Sequence, residues 1–284
     1  MDSVSVSVII PVYNGERHLH GQLEALARQE YGEPWEVVIV DNGSTDRSIE
    51  VARSFRGRLP RLHILCESSS GKAHAVNRGV RAATGRFLLF LDQDDEVAPG
   101  YLTAMTSALE EYDVVGARVD RDSLNPPWAR YQGGQTDSLC VRRGCPEFSI
   151  GGALGARAET LREVEFSPDV GASDDIDFCW RAQAMGFRLG FVPSAILRYR
   201  QRSEEASALR QGFYYGRSEV LIYRRYRHVG HPRPSLRVVL WTVKSLLLLV
   251  PRSADRGHRM RLMYWSGIFA GNIYGSVRCR VLYI

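Results

Sequence analysis

Four short apolar runs mark the first 99 residues, and three of them lead directly into segments with helical spacing. VSVSVIIPVYN (4–14) precedes ERHLHGQLEALARQ (16–29), and WEVVIVDNGSTD (35–46) precedes a helix starting near Arg47 that Asp46 can cap. LHILCES (62–68) precedes GKAHAVNRGVRAATG (71–85), and RFLLFLDQDDEVAP (86–99) is a fourth strand that runs into acid. These runs are too continuously apolar to leave one face in water. Strands of this kind joined by helical crossovers predict a Rossmann-like, mostly parallel α/β sheet with helices on both faces.

In open sheets of that kind, ligands bind beyond the carboxyl ends of the strands. The ends here are Pro11-Val12-Tyr13-Asn14, Asp41-Asn42-Gly43-Ser44 and Asp92-Gln93-Asp94-Asp95, and all three are expected on one edge. No GxGxxG follows the first strand and no Walker A loop is present, which argues against a dinucleotide oxidoreductase and a P-loop phosphotransferase.

Residues 92–95 are the most informative local feature. Three carboxylates in four residues repel one another unless a cation or a set of donors offsets them. Mg²⁺ and Mn²⁺ take a few carboxylates and complete their shells with water and phosphate oxygens. The plainer alternative is an acidic helix N-terminus, with Asp94, Asp95 and Glu96 favouring the dipole of a helix over 99–110.

SVIIPVYNGERHLHGQLEAL, VVIVDNGSTDRS and GKAHAVNRGVRAATGRFLLFLDQDDEV, in that order, resemble the family 2 glycosyltransferases of the GT-A fold. SDDIDFCWRAQAMGFRLGFVPSAILRYR (173–200) resembles the acidic motif of the same family and the strand after it. The resemblance covers roughly 1–200, with a nucleotide-binding half over 1–98 and an acceptor and catalytic half over 99–200. It implies an inverting enzyme that moves a sugar from a nucleotide-diphosphate sugar to a glycan or lipid-linked acceptor in cell-envelope polysaccharide or glycolipid synthesis.

The resemblance also assigns residues. Pro11, Tyr13 and Asn14 line the nucleoside pocket and Asp41 meets the base, although Asp41 can instead form an Asx turn. Lys72 and Asn77 sit near the base or diphosphate, with a solvated helix face as the alternative. Asp92 meets the ribose, and Asp94, helped by Asp92, holds Mg²⁺ or Mn²⁺ in a DxD motif. Asp175 matches the general base and Asp174 is the next candidate; the alternative is that Ser173 and Asp174 cap a helix whose dipole the remaining acids complement. Arg181 pairs within the motif and orients it. Some relatives carry a metal-binding histidine on the following strand; the matching place here is Arg198, which cannot ligate a cation but can contact the diphosphate. Gly151-Gly152-Ala153-Leu154 lines the sugar side or simply packs tightly. The stretch 120–150, with Trp128, Tyr131 and QGGQTDS, is an adjustable acceptor loop whose aromatics either stack on a sugar or anchor the loop.

Charge divides the chain. The net charge of +5 sums a body, 1–197, with 20 Lys+Arg against 28 Asp+Glu and a tail, 198–284, with 17 against 4. The tail alternates apolar runs, SLRVVLWTVKSLLLLVP (235–251) and MRLMYWSGIFAGNIYGSVRCRVLYI (260–284), with Arg and aromatic residues. That pattern predicts a basic helical C-terminal unit over 201–284, membrane-proximal, lying on the inner face of the plasma membrane. The alternative is a helical cap that uses Leu246–Leu249 as core. Nucleic acid is not expected as a partner. Five scattered cysteines without a CxxC pair, and an N-terminus without the features of a signal peptide, predict a cytoplasmic, reduced protein. Two rival functions remain: a nucleotidyltransferase, which lacks its Gly- and Lys/Arg-rich loop here, and a catalytically silent glycan- or lipid-binding scaffold.

Overall fold

The computed structural model describes residues 3–131, 137–142, 144–234 and 236–283, with the side chains of 236–239, 241 and 242 outside that description. Much of the QGGQTDS segment, at 132–136, therefore lies outside the described residues.

One eight-stranded sheet organises the chain. Its strands are β1 (Val6–Val12), β2 (Trp35–Asp41), β3 (Leu62–Cys66), β4 (Phe87–Phe90), β5 (Glu96–Val97), β6 (Val114–Asp120), β7 (Leu154–Arg157) and β8 (Leu189–Arg198), in the spatial order β3-β2-β1-β4-β7-β6-β8-β5. The four N-terminal strands run parallel, as their composition predicts. The second half departs from that pattern. β7 is antiparallel to both β4 and β6, β8 is parallel to β6, and β5 is antiparallel to β8. The departure centres on β7, Leu-Gly-Ala-Arg, which lies between β4 and β6 and is reached from β6 with no α-helix between them among the described residues.

Both faces are covered, and the alternation along each strand sorts side chains between them. Val6, Val8, Ile10 and Val12 of β1, with Val37 and Ile39 of β2, pack against Leu19, Leu23 and Leu26 of α1 (Leu19–Ala27) and Tyr101 and Met105 of α4 (Tyr101–Leu109). Ile9, Val38 and Val40 face the other way, onto Ala75 and Val76 of α3 (Lys72–Ala82) and Phe178 of α6 (Asp174–Ala184). The helices α2 (Ser48–Ser54) and α5 (Ala158–Glu163) complete the layers. Gly79 of α3 is pressed on β1: an added Cβ there would stand 2.5 Å from Ile9 Cγ2, so no larger residue lets this helix seat as closely.

Three helices follow the sheet: α7 (Glu205–Tyr226), α8 (Leu236–Leu249) and α9 (Arg256–Cys279). α7 and α9 meet backbone to backbone through glycines. An added Cβ at Gly212 or Gly216 would lie 2.1 Å from the carbonyl of Tyr264 or Ile268, and one at Gly267 or Gly271 2.2 Å from that of Leu209 or Phe213. α7 is also seated on the body. Ile222 joins the core, Arg142 pairs with Glu219, and the Ser218 hydroxyl accepts the Ala172 N–H at 2.8 Å. The idea of Leu246–Leu249 as core is corrected here, because Leu247 and Leu248 are 66% and 52% exposed. Among the described residues, no helix is long and apolar enough to cross a membrane.

Candidate active site at the strand ends

The ends of β1, β2 and β4 meet on one edge, and side chains stitch them together. Gln93 clasps Tyr13 in both directions, its Oε1 accepting the Tyr13 N–H at 2.9 Å and its Nε2 donating to the Tyr13 carbonyl at 3.0 Å. Asn14, at a φ of 49°, sits in the left-handed region that Asn tolerates better than most residues. Its Oδ1 accepts the Thr45 N–H at 2.8 Å, and its own N–H donates to Ser44 Oγ at 3.0 Å. Asp41 Oδ1 accepts the Ser44 N–H at 3.0 Å, which is the Asx turn that DNGSTD allows. The Tyr13 side chain is left 60% exposed above this floor, and Pro11 lies in β1 opposite Val40.

The acidic turn is met by cations of the chain itself. Lys72 pairs with Asp92 from the first turn of α3. Arg202 Nη1 stands 2.5 Å from Asp94 Oδ2. Arg200 donates its N–H to Asp95 Oδ1 at 2.8 Å, its Nε to the Asp94 carbonyl at 2.9 Å and its Nη2 to Glu96 Oε1 at 2.8 Å. Burial and the neighbouring charges of Asp94 and Asp92 push the Asp95 carboxyl well above its usual range, and its Oδ2 is buried without a hydrogen-bond partner. The donor chemistry suits a hard divalent cation, with carboxylates from one turn and an orphaned buried oxygen beside them. No group of three or more protein ligands converges among the described residues. An ion bound here would take carboxylates of this turn and would need the rest of its shell from groups other than this protein's side chains.

A second acidic group faces the first across Lys72. Asp174 and Asp175 open α6, and Asp175 is fixed by two backbone donors: the Gly151 N–H to Oδ2 and the Ile176 N–H to Oδ1, both at 2.8 Å. Burial raises the Asp175 carboxyl, with Lys72 opposing it. Burial and the charge of Asp175 push Asp174 up to about 7, again against the pull of Lys72. Burial alone would lower Lys72, but Asp92, Asp174 and Asp175 together hold its ammonium above the ordinary lysine range. Gly151 and Gly152 make this proximity possible. An added Cβ at Gly152 would stand 2.9 Å from Asp92 Oδ2, and one at Gly151 3.4 Å from Asp175 Cβ and 3.5 Å from Lys72 Nζ.

Several expected site residues lie elsewhere. Asn77 is turned into the interior, where its Nδ2 donates to the Phe166 carbonyl at 2.8 Å and its Oδ1 accepts the Phe166 N–H at 3.0 Å, so both ends of the amide are engaged away from the strand ends. Arg198 closes β8 in register with Glu96 and Asp120; the arginines that reach the acidic turn are Arg200 and Arg202, beyond the end of the strand. Asp177 is fully buried, accepting from Arg181 Nε at 2.7 Å and Tyr226 Oη at 2.8 Å with Arg225 Nε at 3.1 Å, so it ties α6 to α7. Ser173 makes no side-chain cap on α6. Trp128 and Tyr131 anchor their loop, through the Arg256 guanidinium 3.6 Å from the Trp128 ring and Tyr264 5.3 Å from Tyr131.

Sequence reasoning missed Gln93, Arg200 and Arg202, and it also missed that α7 returns to the segment before α6, where Ser218 Oγ accepts the Ala172 N–H. Burial raises the Tyr214 phenol, and the charge of Asp174 adds to the rise. Burial likewise raises Tyr215, while Lys72 pulls it back. The YY pair amid the basic tail was the available signal, but nothing local says that α7 returns to the acidic motif.

Comparison with known proteins gives the family. The family description Glycosyl transferase family 2 matches residues 7–157, and Glycosyl transferase family group 2 matches residues 87–277. The chain belongs to glycosyl transferase family 2. Within that family it is 31% identical over 222 residues to the glycosyltransferase GlyG of Streptococcus pneumoniae, covering 70% of this chain and 71% of the relative. It is 28% identical over 213 residues to the amylovoran biosynthesis glycosyltransferase AmsB of Erwinia amylovora, covering 70% of each chain. The match to the uncharacterized glycosyltransferase YibD of Escherichia coli is 36% identical over 132 residues, 46% of this chain and 36% of that one. The chain thus spans little more than a third of that relative's length. Among solved structures, the mannosyltransferase PcManGT of Pyrobaculum calidifontis, in complex with GDP-Man and Mn²⁺, superposes with a TM-score of 0.63 at 22% identity over 95% of this chain and 86% of that one. S. aureus TarS 1–349, in complex with UDP-GlcNAc, gives 0.55 at 19% over 99% and 93%. The fold of this family 2 chain is therefore GT-A.

Proposed function

We propose that the protein is an inverting glycosyltransferase that takes a sugar from a nucleotide-diphosphate sugar and places it on a glycan or lipid-linked acceptor. The observation that carries this reading is Lys72, which joins a donor-side carboxylate, Asp92, to a fixed and buried carboxylate pair, Asp174 and Asp175. Such a joint sets a proton acceptor beside the place where a sugar–phosphate bond would lie.

In this reading Pro11, Tyr13 and Asn14 form the nucleoside floor, Asp41 accepts from the base and Asp92 from the ribose. Asp94 and Asp92 would hold Mg²⁺ or Mn²⁺, which when bound would offer positive charge to a diphosphate. Lys72 and Arg202 are the chain's own cations for the same charge, with Arg202 in the role expected of Arg198. Asp175 takes the proton of the acceptor hydroxyl as that oxygen bonds to the anomeric carbon. The bond from that carbon to the diphosphate oxygen breaks, and its electron pair leaves with the diphosphate. The Gly151 and Ile176 N–H groups fix the direction of the Asp175 carboxylate, and each of its oxygens keeps a lone pair for the incoming proton. The PcManGT and TarS complexes, with GDP-Man and UDP-GlcNAc, support a nucleotide-sugar donor, and Mn²⁺ in the former supports a divalent ion. AmsB, named for amylovoran biosynthesis, supports a polysaccharide or glycolipid product. The basic composition of the C-terminal helices supports a position on the inner face of the plasma membrane.

A thermal-shift panel of UDP, GDP and TDP with and without Mn²⁺ tests the reading. One nucleotide is expected to raise the melting temperature in a Mn²⁺-dependent way, and Asp94→Ala is expected to abolish the rise. No shift with any nucleotide would overturn the assignment in favour of a silent scaffold.

A further inference from the structure

α7 and α9 bury their glycine faces against each other and leave a shared outer face. On α7 that face carries Leu209 and Phe213, 38% and 37% exposed; on α9 it carries Ile273, Tyr274 and Val277, 40%, 47% and 76% exposed. The Phe213 and Tyr274 rings lie 5.4 Å apart, which joins the two sets into one patch. Between the helices Leu209, Phe213, Gly267 and Ala270 line an open apolar groove of about 290 Å³, with Arg210 at its rim. Arg210 and Arg217, two turns apart on α7, are both exposed on the flank of this patch, and neither forms an ion pair among the described residues.

We propose that this face docks on an anionic lipid bilayer, with the apolar patch in the acyl boundary and Arg210 and Arg217 on the headgroup phosphates. Charge selects the occupant. α9, over 256–279, carries Arg256, Arg259, Arg261 and Arg278 and no Asp or Glu, so a negatively charged surface is attracted and a second copy of the same face is repelled. Aromatic and aliphatic residues bordered by arginine, on helices unable to cross a bilayer, suit the interface plane. The position is also useful. α7, which carries Phe213, is hydrogen-bonded through Ser218 Oγ to the Ala172 N–H, two residues before Asp174, so docking would bring a bilayer-anchored acceptor close to the acidic site. That last step rests on the glycosyltransferase reading; the docking itself does not.

Co-sedimentation of the full chain with phosphatidylcholine vesicles, with and without phosphatidylglycerol, is the test. Binding is expected only to the anionic vesicles, weakening as salt is raised. The double variant Arg210→Glu/Arg217→Glu is expected to weaken it by about tenfold or more, and Phe213→Ser/Tyr274→Ser to weaken it at unchanged salt sensitivity. Retention of the nucleotide thermal shift shows that each variant is folded. Absence of wild-type binding, equal binding by the arginine variant, or a salt-resistant dimer that Phe213→Ser/Tyr274→Ser dissociates would overturn the proposal. Loss of the nucleotide shift in the wild type, with vesicle binding intact, would sink the enzymatic reading and leave the docking face standing.

Discussion

Gly151 donates its N–H to Asp175 Oδ2 at 2.8 Å, and the same glycine leaves room for Lys72 Nζ 3.5 Å from where its Cβ would be. The base candidate is therefore aimed by backbone rather than by a flexible side chain. Asp175→Asn keeps the shape and removes the proton acceptor, so turnover is expected to fall by about 10³-fold. The nucleotide thermal shift should persist. Product formation from a radiolabelled donor measures the first and calorimetric nucleotide binding the second; retained turnover would point to Asp174.

Asp174 makes the pH dependence specific. Its carboxyl rises from 3.8 to about 7 in the folded protein, so the native state holds more protons than the unfolded chain between those values. Stability is expected to fall as pH rises from about 4 to about 7, and Asp174→Asn should flatten that slope in urea titrations. If Asp175 is the base, the acid limb of kcat/KM is expected to report the Asp174–Asp175 pair and to move to lower pH in Asp174→Asn, because a like charge is removed. Lys72→Met should move it to higher pH, since a favourable cation is lost.

Asp177 is a structural acid inside a catalytic-looking motif. It is buried and contacted by Arg181, Arg225 and Tyr226. Asp177→Ala leaves two guanidinium groups without their carboxylate and frees α7 from α6. A loss of about 3 kcal/mol is expected by chemical denaturation, with early proteolysis in α7.

Asn77→Ala separates the interior role of that amide from a nucleotide role. Losing both bonds to Phe166 should cost about 2 kcal/mol, while nucleotide affinity below the melting transition stays unchanged. A weakened nucleotide with unaltered stability would restore Asn77 to the binding edge.

What could be read in advance followed from local chemistry. Apolar runs of β1 and β2 had to be buried on both faces, so the parallel half of the sheet was legible, as was the gathering of Tyr13, Asn14, Asp41 and Asp92 at its edge. β7 was not, because four residues without a period carry no direction of travel. Trp128 and Tyr131 allowed two readings in sequence, and only the position of α9 chose between them.

The arginines show the limit best. That strand ends and acids would meet, and that a basic helical tail would follow, comes from burial of apolar strands and charge composition, which are properties of the chain. That Arg200 and Arg202, not Arg198, reach the acidic turn, and that Lys72 stands between two carboxylate groups more than 80 residues apart, emerges from the folded arrangement. The last strand residue is held in register by β5 and β6, whereas the residues beyond it are free of the ladder and turn towards the carboxylates. Pairings of that kind depend on where separate segments end in space, and no local pattern of residues encodes that.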